Sequence, residues 1–213
     1  MADPISLIIS GVSLLISGTT AWLTLLRKGR VRMTQPTIVC FAREASAEHA
    51  EATPKVFLRA LLYTTAKRGL VVENLFLKIQ RGEATQTFSI WAYGDTGLVR
   101  GSGLFVGAEG VACNHHFLPP SDGSTFEFLS GDYVLQVYAS IVGRGRPVVL
   151  TEVRLLLSEP QVQALRANDA GVWFDWGPDS QRYVPQLLHR PKLPLDTTEL
   201  ERLGLRRSGG SGR

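Results

Sequence analysis

The hydrophobic pattern divides the chain near residue 26. Residues 5–26 (ISLIISGVSLLISGTTAWLTLL) contain no charged side chain. At a rise of 1.5 Å per residue, a helix of these 22 residues spans the roughly 30 Å hydrocarbon core of a bilayer. Residues 1–26 are therefore predicted to be a transmembrane anchor, followed by a basic juxtamembrane linker over residues 27–36.

Beyond Pro36, apolar and polar residues alternate as they do in half-buried strands. No helical period separates these stretches, which argues against a parallel α/β sheet. We expect a mainly β fold, an antiparallel β-sandwich of about seven strands within residues 37–189, with a polar loop at 43–54. The predicted strand segments are residues 37–42, 55–64, 70–81, 85–93, 111–118, 126–139 and 148–157.

One or two short helices are predicted near the C-terminus. Ser158 and Gln161 fit a capping box, which indicates a helix ending near residue 168. Residues 172–179 are rich in aromatic side chains and are expected to close the end of the sandwich. Residues 190–213 are predicted to be a flexible tail, with a second short helix over residues 196–205.

The most specific local pattern is FEFLSGDYVLQVYA, residues 126–139. Tyr133 follows Gly131 and Asp132 and begins an alternating strand. This pattern resembles the tyrosine corner of immunoglobulin-like and other Greek-key sandwiches, in which a tyrosine near the start of a late strand bonds to nearby backbone. The resemblance implies an immunoglobulin-like architecture.

The charge distribution predicts how the apolar segment is oriented across the membrane. Four basic residues directly follow the apolar segment: Arg27, Lys28, Arg30 and Arg32. The positive-inside rule places them on the cytoplasmic membrane surface, with the N-terminus outside and the C-terminal domain in the cytoplasm. We therefore expect a single-pass protein of the plasma (inner) membrane, in contact with membrane lipid. The acidic Met-Ala-Asp-Pro start favours an anchor over a cleaved signal peptide.

The rest of the chain is almost neutral. Residues 33–198 carry 15 Lys or Arg against 16 Asp or Glu. Nucleic-acid-binding domains concentrate basic residues on one surface. No nucleic-acid partner is therefore expected.

Small hydroxyl side chains form a stripe along the predicted anchor, spaced four and three residues apart. Two glycines flank the stripe, and small residues let transmembrane helices approach closely. We predict that the helix self-associates or pairs with a partner helix. The alternative is that each hydroxyl bonds the carbonyl four residues earlier in its own helix. The predicted contact residues are Ser6, Ser10, Gly11, Ser13, Ser17, Gly18, Thr20 and Thr24.

Candidate chemistry is sparse. Cys113 and His115 fall on one face of a predicted strand and are weak candidates for metal ligands, because a zinc site needs three or four ligands. No metal, other cofactor or enzymatic activity is predicted. If the domain lay outside the cell, Cys40 and Cys113 could form a disulfide bond.

Four aromatic residues near the C-terminus are the best candidates for a partner-binding patch: Trp173, Phe174, Trp176 and Tyr183. The alternative is that they complete the core. The function expected is a membrane-anchored protein that presents a cytoplasmic β-sandwich for protein–protein interaction. A membrane-bound ligand sensor or effector is the alternative. An enzyme would require Cys113, His115 and a carboxylate to converge.

Overall fold

The computed structural model describes residues 3–26, 29–46, 49–95, 98–120, 126–167 and 170–189. Within these ranges the protein is mainly β, with two antiparallel sheets and an apolar N-terminal helix. The basic residues Arg27 and Lys28 lie outside the described residues, as do the predicted tail and the helix expected at 196–205.

The N-terminal helix α1 spans Pro4–Ala21 and continues as a π-helical segment, Trp22–Leu26. The Asp3 carboxylate accepts a hydrogen bond from the backbone amide of Ile5 and caps the helix, and Pro4 begins it with a pre-set φ angle. The span Pro4–Thr24 is long and apolar enough to cross a membrane, and none of it is buried against the rest of the protein.

Thirteen strands are present in the described residues, rather than about seven. In chain order they are β1 Val31–Met33, β2 Ile38–Ser46, β3 His49–Thr64, β4 Leu70–Arg81, β5 Ala84–Phe88, β6 Ile90–Tyr93, β7 Val99–Arg100, β8 Leu104–Val106, β9 Val111–Leu118, β10 Gly131–Ile141, β11 Val148–Leu157, β12 Ala170–Gly177 and β13 Arg182–His189. The helix α2, Glu159–Arg166, lies between β11 and β12.

The larger sheet has the order β13-β12-β2-β3-β9-β6-β7, with β1 also paired to β3. The smaller sheet has the order β11-β10-β4-β5, with β8 also paired to β4. Neither sheet is one continuous stretch of sequence. The chain passes from one sheet to the other at β3–β4, β5–β6, β7–β8, β8–β9, β9–β10 and β11–β12.

For three strands, the first and last residues are those predicted from the sequence. These strands are β4, β9 and β11. The helix predicted after Ser158 is also present as α2, and the Ser158 amide donates to the Gln161 side chain at 2.8 Å. Residues 31–33, inside the predicted linker, instead form β1 and pair with the end of β3.

Three differences have physical causes. The loop predicted at 43–54 is wrong, because Arg43 pairs with Pro54 and β2 and β3 extend almost to their connection. Backbone groups make these bonds, so a polar sequence can continue a hairpin beyond the core.

The strand predicted at 85–93 is divided at Ser89 between the two sheets. This change of sheet allows both Phe88 and Trp91 to be buried. Residues 172–179 belong mostly to β12, a paired strand of the larger sheet.

Buried side chains from both sheets belong to a single hydrophobic cluster. Phe41 of β2 lies at its centre and is fully buried. Its ring contacts Tyr133 of the smaller sheet, with ring centroids 5.6 Å apart, and stacks on Phe128 at 4.7 Å. The same ring meets Phe174 of β12 at 5.3 Å.

The contact expected of a tyrosine corner is present. The Tyr133 hydroxyl donates to the Leu129 carbonyl at 2.6 Å and accepts from the Leu129 amide at 2.9 Å. Gly131 turns the chain between these residues with φ = 136°, which favours glycine. This local structure fixes the start of β10 against the preceding loop.

Candidate functional site

A groove lies between two sheet edges. Strand β11 is an edge strand of the smaller sheet, and β13 is an edge strand of the larger sheet. Among the residues that the structure describes, each pairs on one side only, so backbone groups on the other side face outward. The groove has a volume of about 960 Å³, and its lining includes Gln35, Tyr133, Glu152, Arg154, Leu156, Trp176, Tyr183 and Val184.

Exposed apolar side chains line this groove. Leu156 is 62% exposed and Val184 is 43% exposed. The rings of Trp176 and Tyr183 pack against one another, with centroids 5.1 Å apart. Trp and Tyr are enriched at the anchor points of protein interfaces, and the exposed aliphatic side chains extend the apolar surface around them.

Polar contacts hold Tyr183 in place at the groove. Its hydroxyl donates to the Pro36 carbonyl at 2.7 Å and accepts from the Gln35 side chain at 2.8 Å. Burial raises the pKa of Tyr183 to about 12, so its hydroxyl stays protonated at neutral pH. The ring is thus tied to the segment between β1 and β2.

One ion pair adds charge to the β11 side. Arg154 lies 3.3 Å from Glu152, and Gln136 donates to the same carboxylate at 3.0 Å. The hydrogen bond from Gln136, followed by that from Arg154, lowers the pKa of Glu152. The groove therefore offers apolar surface, ionised side chains and unpaired strand edges to a ligand.

The four residues predicted as an aromatic patch are separated by the structure. Trp176 and Tyr183 line the groove. Phe174 is 1% exposed and belongs to the core. Trp173 is partly exposed and packs against Phe57, with ring centroids 5.6 Å apart. Successive side chains of a strand point to opposite faces, which separates Trp173 from Phe174. Trp176 lies two residues after Phe174, near the end of β12, where it packs against Tyr183 of β13.

Cys113 and His115 do lie together, in a buried cluster with Trp91. The Trp91 indole N–H donates to His115 Nδ1 at 3.2 Å, and His115 Nε2 lies 3.5 Å from Cys113 Sγ. Because indole can only donate, Nδ1 must be the acceptor and the imidazole proton belongs on Nε2. His115 therefore donates towards the Cys113 sulfur.

This arrangement opposes the activation of Cys113. Burial raises the pKa of its thiol to about 11, and the charge of Asp95 adds to the effect. Burial, reinforced by His116, lowers the pKa of His115 to about 4. The ring lone pair of His115 lies on Nδ1, where it accepts the hydrogen bond from Trp91, so it cannot accept the proton of the Cys113 thiol. Neither Cys113 nor Cys40 forms a disulfide bond, and both side chains are buried.

No group of three or more potential metal ligands occurs among the described residues. Zinc sites need at least three protein ligands. The side chains of His49 and His189 lie outside the described part of the chain.

The predicted helix contacts all fall on α1 or the π-helical segment. Thr20 donates to the Ile16 carbonyl at 2.8 Å and Thr24 to the Thr20 carbonyl at 2.7 Å, as the alternative for the stripe expects. An added Cβ at Gly11 or Gly18 would meet no atom within 4 Å, so both are open to an approaching helix. Arg30 and Arg32, predicted at the membrane surface, are exposed.

Part of the groove was missed by the sequence interpretation. The density of aromatic residues had pointed to Trp176 and Tyr183 as binding residues. Strand β11 had been predicted as a strand, but neither it nor Gln35 had been assigned to a binding surface. A signal for β11 exists in its three consecutive leucines. Leu155 and Leu157 are buried, so alternation forces Leu156 outward.

Comparison with known proteins gives no family. No protein-family model matches the sequence, and a search of curated proteins finds no match. The apolar N-terminal helix and the groove are therefore the features that bear on function.

Proposed function

We propose that this chain is a single-pass membrane protein whose β domain binds a partner protein in the groove between β11 and β13. The groove carries the proposal, since it combines two unpaired strand edges with exposed apolar side chains. An extended segment of a partner could pair with such an edge while its side chains contact Leu156, Trp176 and Val184.

The domain itself is proposed to be an immunoglobulin-like β-sandwich. Two observations support this arrangement. Phe41 joins the two sheets through ring contacts, and all the large core side chains belong to one cluster. The double hydrogen bond of Tyr133 is the contact that characterises Greek-key sandwiches.

The anchor is proposed to be α1, with the N-terminus outside and the β domain in the cytoplasm. Its length and apolarity support a membrane span. The basic residues that follow it support the orientation. A basic flank after the apolar segment, instead of before it, is the reverse of a signal peptide, which supports retention of the helix.

Groove variants provide the first test. We expect the pair Leu156→Lys and Val184→Lys to reduce partner recovery at least about tenfold, because burying one uncompensated charge costs several kcal/mol. Affinity purification of the full chain from its native membranes, with quantitative mass spectrometry, measures this recovery. A photo-cross-linking residue at position 156 should attach to the same partner.

The matched control is Val149→Lys with Leu98→Lys. Both residues are more than half exposed, and neither lines the groove. Partners should remain bound to this variant. Equal recovery with both double variants would argue against the groove as the binding site.

The helix stripe is the second part of the proposal. We expect Ser10→Leu, Ser13→Leu and Ser17→Leu together to weaken self-association about tenfold, since larger side chains separate the helix backbones. Cross-linking of the full chain in membranes measures the dimer fraction. The control replaces Ile9, Val12 and Ile16 with leucine on other positions of α1. An unchanged dimer fraction in the serine variant would contradict the stripe as a contact surface.

A further inference from the structure

The β domain begins almost where the anchor ends. The π-helical segment ends at Leu26, and Gly29 already belongs to the domain. Three residues of chain cover at most about 11 Å. Whatever the orientation of α1, the part of the domain next to Gly29 must therefore lie close to the end of the anchor.

Hydrogen bonds identify which loops surround this point. Arg144 donates to the Gly29 carbonyl at 2.9 Å. The Arg30 amide donates to the Thr65 hydroxyl at 3.0 Å, and the Thr65 amide donates to the Arg30 carbonyl at 3.1 Å. The loops 65–69 and 142–147 are thus joined to the start of the domain. We call residues 29–32, these two loops and Phe105 the entry end.

The entry end is strongly basic, although the domain as a whole is neutral. The residues of the entry end include no Asp or Glu, and the exposed Glu73 and Glu109 lie a few residues outside it, in β4 and before β9. No ion pair within the described ranges involves any of its cations. The exposed cations are Arg30, Arg32, Lys67, Arg68, Arg144 and Arg146.

Exposed apolar side chains lie among these cations. Phe105 is 63% exposed and Val142 is 58% exposed. Both neighbour Val71, since Phe105 pairs with it across β4 and β8 and the Val142 amide donates to its carbonyl at 3.0 Å. Gly69 leaves room for the Phe105 ring, because an added Cβ would stand 2.2 Å from it.

We propose that the entry end is a second membrane contact, which binds anionic phospholipid headgroups and inserts Phe105 and Val142 into the interface. Cations beside exposed aromatic and aliphatic side chains are the composition of interfacial membrane-binding surfaces. The contact fixes the domain against the bilayer and so sets the direction in which the groove opens. This inference rests on the membrane anchor of the proposed function.

The test uses the full chain in nanodiscs made of phosphatidylcholine alone or with about one third phosphatidylglycerol. Each Lys or Arg near an anionic surface adds roughly fivefold to binding. We therefore expect amides of residues 65–69 and 142–147 to exchange hydrogen at least about tenfold more slowly in the anionic nanodiscs.

A charge-reversal pair separates lipid binding from general electrostatics. Lys67→Glu with Arg146→Glu should abolish the slowing. Arg154→Glu with Arg182→Glu changes the net charge equally at the groove and should preserve it. Phe105→Ser should reduce the slowing without any change in charge.

Alkaline extraction of membranes containing the full chain distinguishes the two ways of failing. If the chain resists extraction but its loops exchange equally in both lipids, the entry-end contact is overturned and the anchor stands. If alkali releases the chain, the anchor and the inference that rests on it both fail. Loss of slowing in both charge-reversal pairs would also overturn the contact, because the effect would follow net charge alone.

Discussion

Replacing Phe41 with alanine is expected to lower the free energy of unfolding by about 3–5 kcal/mol, the range for truncating a buried phenylalanine. The ring is fully buried and contacts Phe128, Tyr133 and Phe174. Its removal takes away contacts between the two sheets as well as within the larger one. Denaturant unfolding of the full chain in detergent micelles, followed by tryptophan fluorescence, measures the change.

The control is Phe105→Ala, which truncates the same side chain at a site that is 63% exposed. Exposed substitutions usually change stability by less than about 0.5 kcal/mol. Phe41→Leu keeps most of the volume and should fall between the two, which provides a measurement if the alanine variant does not accumulate. Equal losses for Phe41→Ala and Phe105→Ala would contradict the packing of the two sheets through Phe41.

Protonation of His115 should lower the free energy of unfolding by about 3 kcal/mol as the pH drops from about 6.5 to about 4. This figure is the contribution of that one residue. Burial, aided by His116 and opposed by Asp95, lowers the pKa of His115 to about 4 in the folded chain. The unfolded chain binds this proton below its ordinary pKa of 6.5. Between these values the unfolded state holds more protons, so stability rises with pH and becomes constant above the unfolded pKa.

His115→Gln isolates this contribution. A glutamine oxygen can accept from Trp91 and its amide can donate towards Cys113, but it does not titrate in this range. The free energy of unfolding of the variant should therefore depend less on pH between 4 and 6.5. Parallel curves for the two proteins would show that His115 does not supply the effect.

Much of the local structure could be predicted because local patterns determine it. The alternation in residues 70–81 and 148–157 matches β4 and β11. The capping pair Ser158 and Gln161 marks the start of α2. The sequence around Tyr133 indicated a hydrogen bond that depends on residues only four positions apart.

What could not be predicted depends on residues distant in sequence. Pairing of β2 with β12 joins Phe41 to Val172, and nothing near either residue specifies the other. The same pairing attaches the β12–β13 hairpin, which carries Trp176 and Tyr183 into the groove, to the rest of the larger sheet. The cations of the entry end are likewise dispersed from Arg30 to Arg146. The sum of charges over residues 33–198 is close to zero and gives no sign of this cluster.

In the larger sheet β2 lies between β3 and β12, and this position has a consequence for biosynthesis. Its partner β3 follows at once, but β12 is made about 130 residues later. At about 5–20 residues per second, one edge of β2 stays unpaired for on the order of ten seconds while α1 has already left the ribosome. An unpaired edge can join the strand of another nascent chain. Synthesis of the β12–β13 hairpin provides β12, which pairs with the open edge of β2. Truncated chains that lack this hairpin therefore retain an aggregation-prone edge.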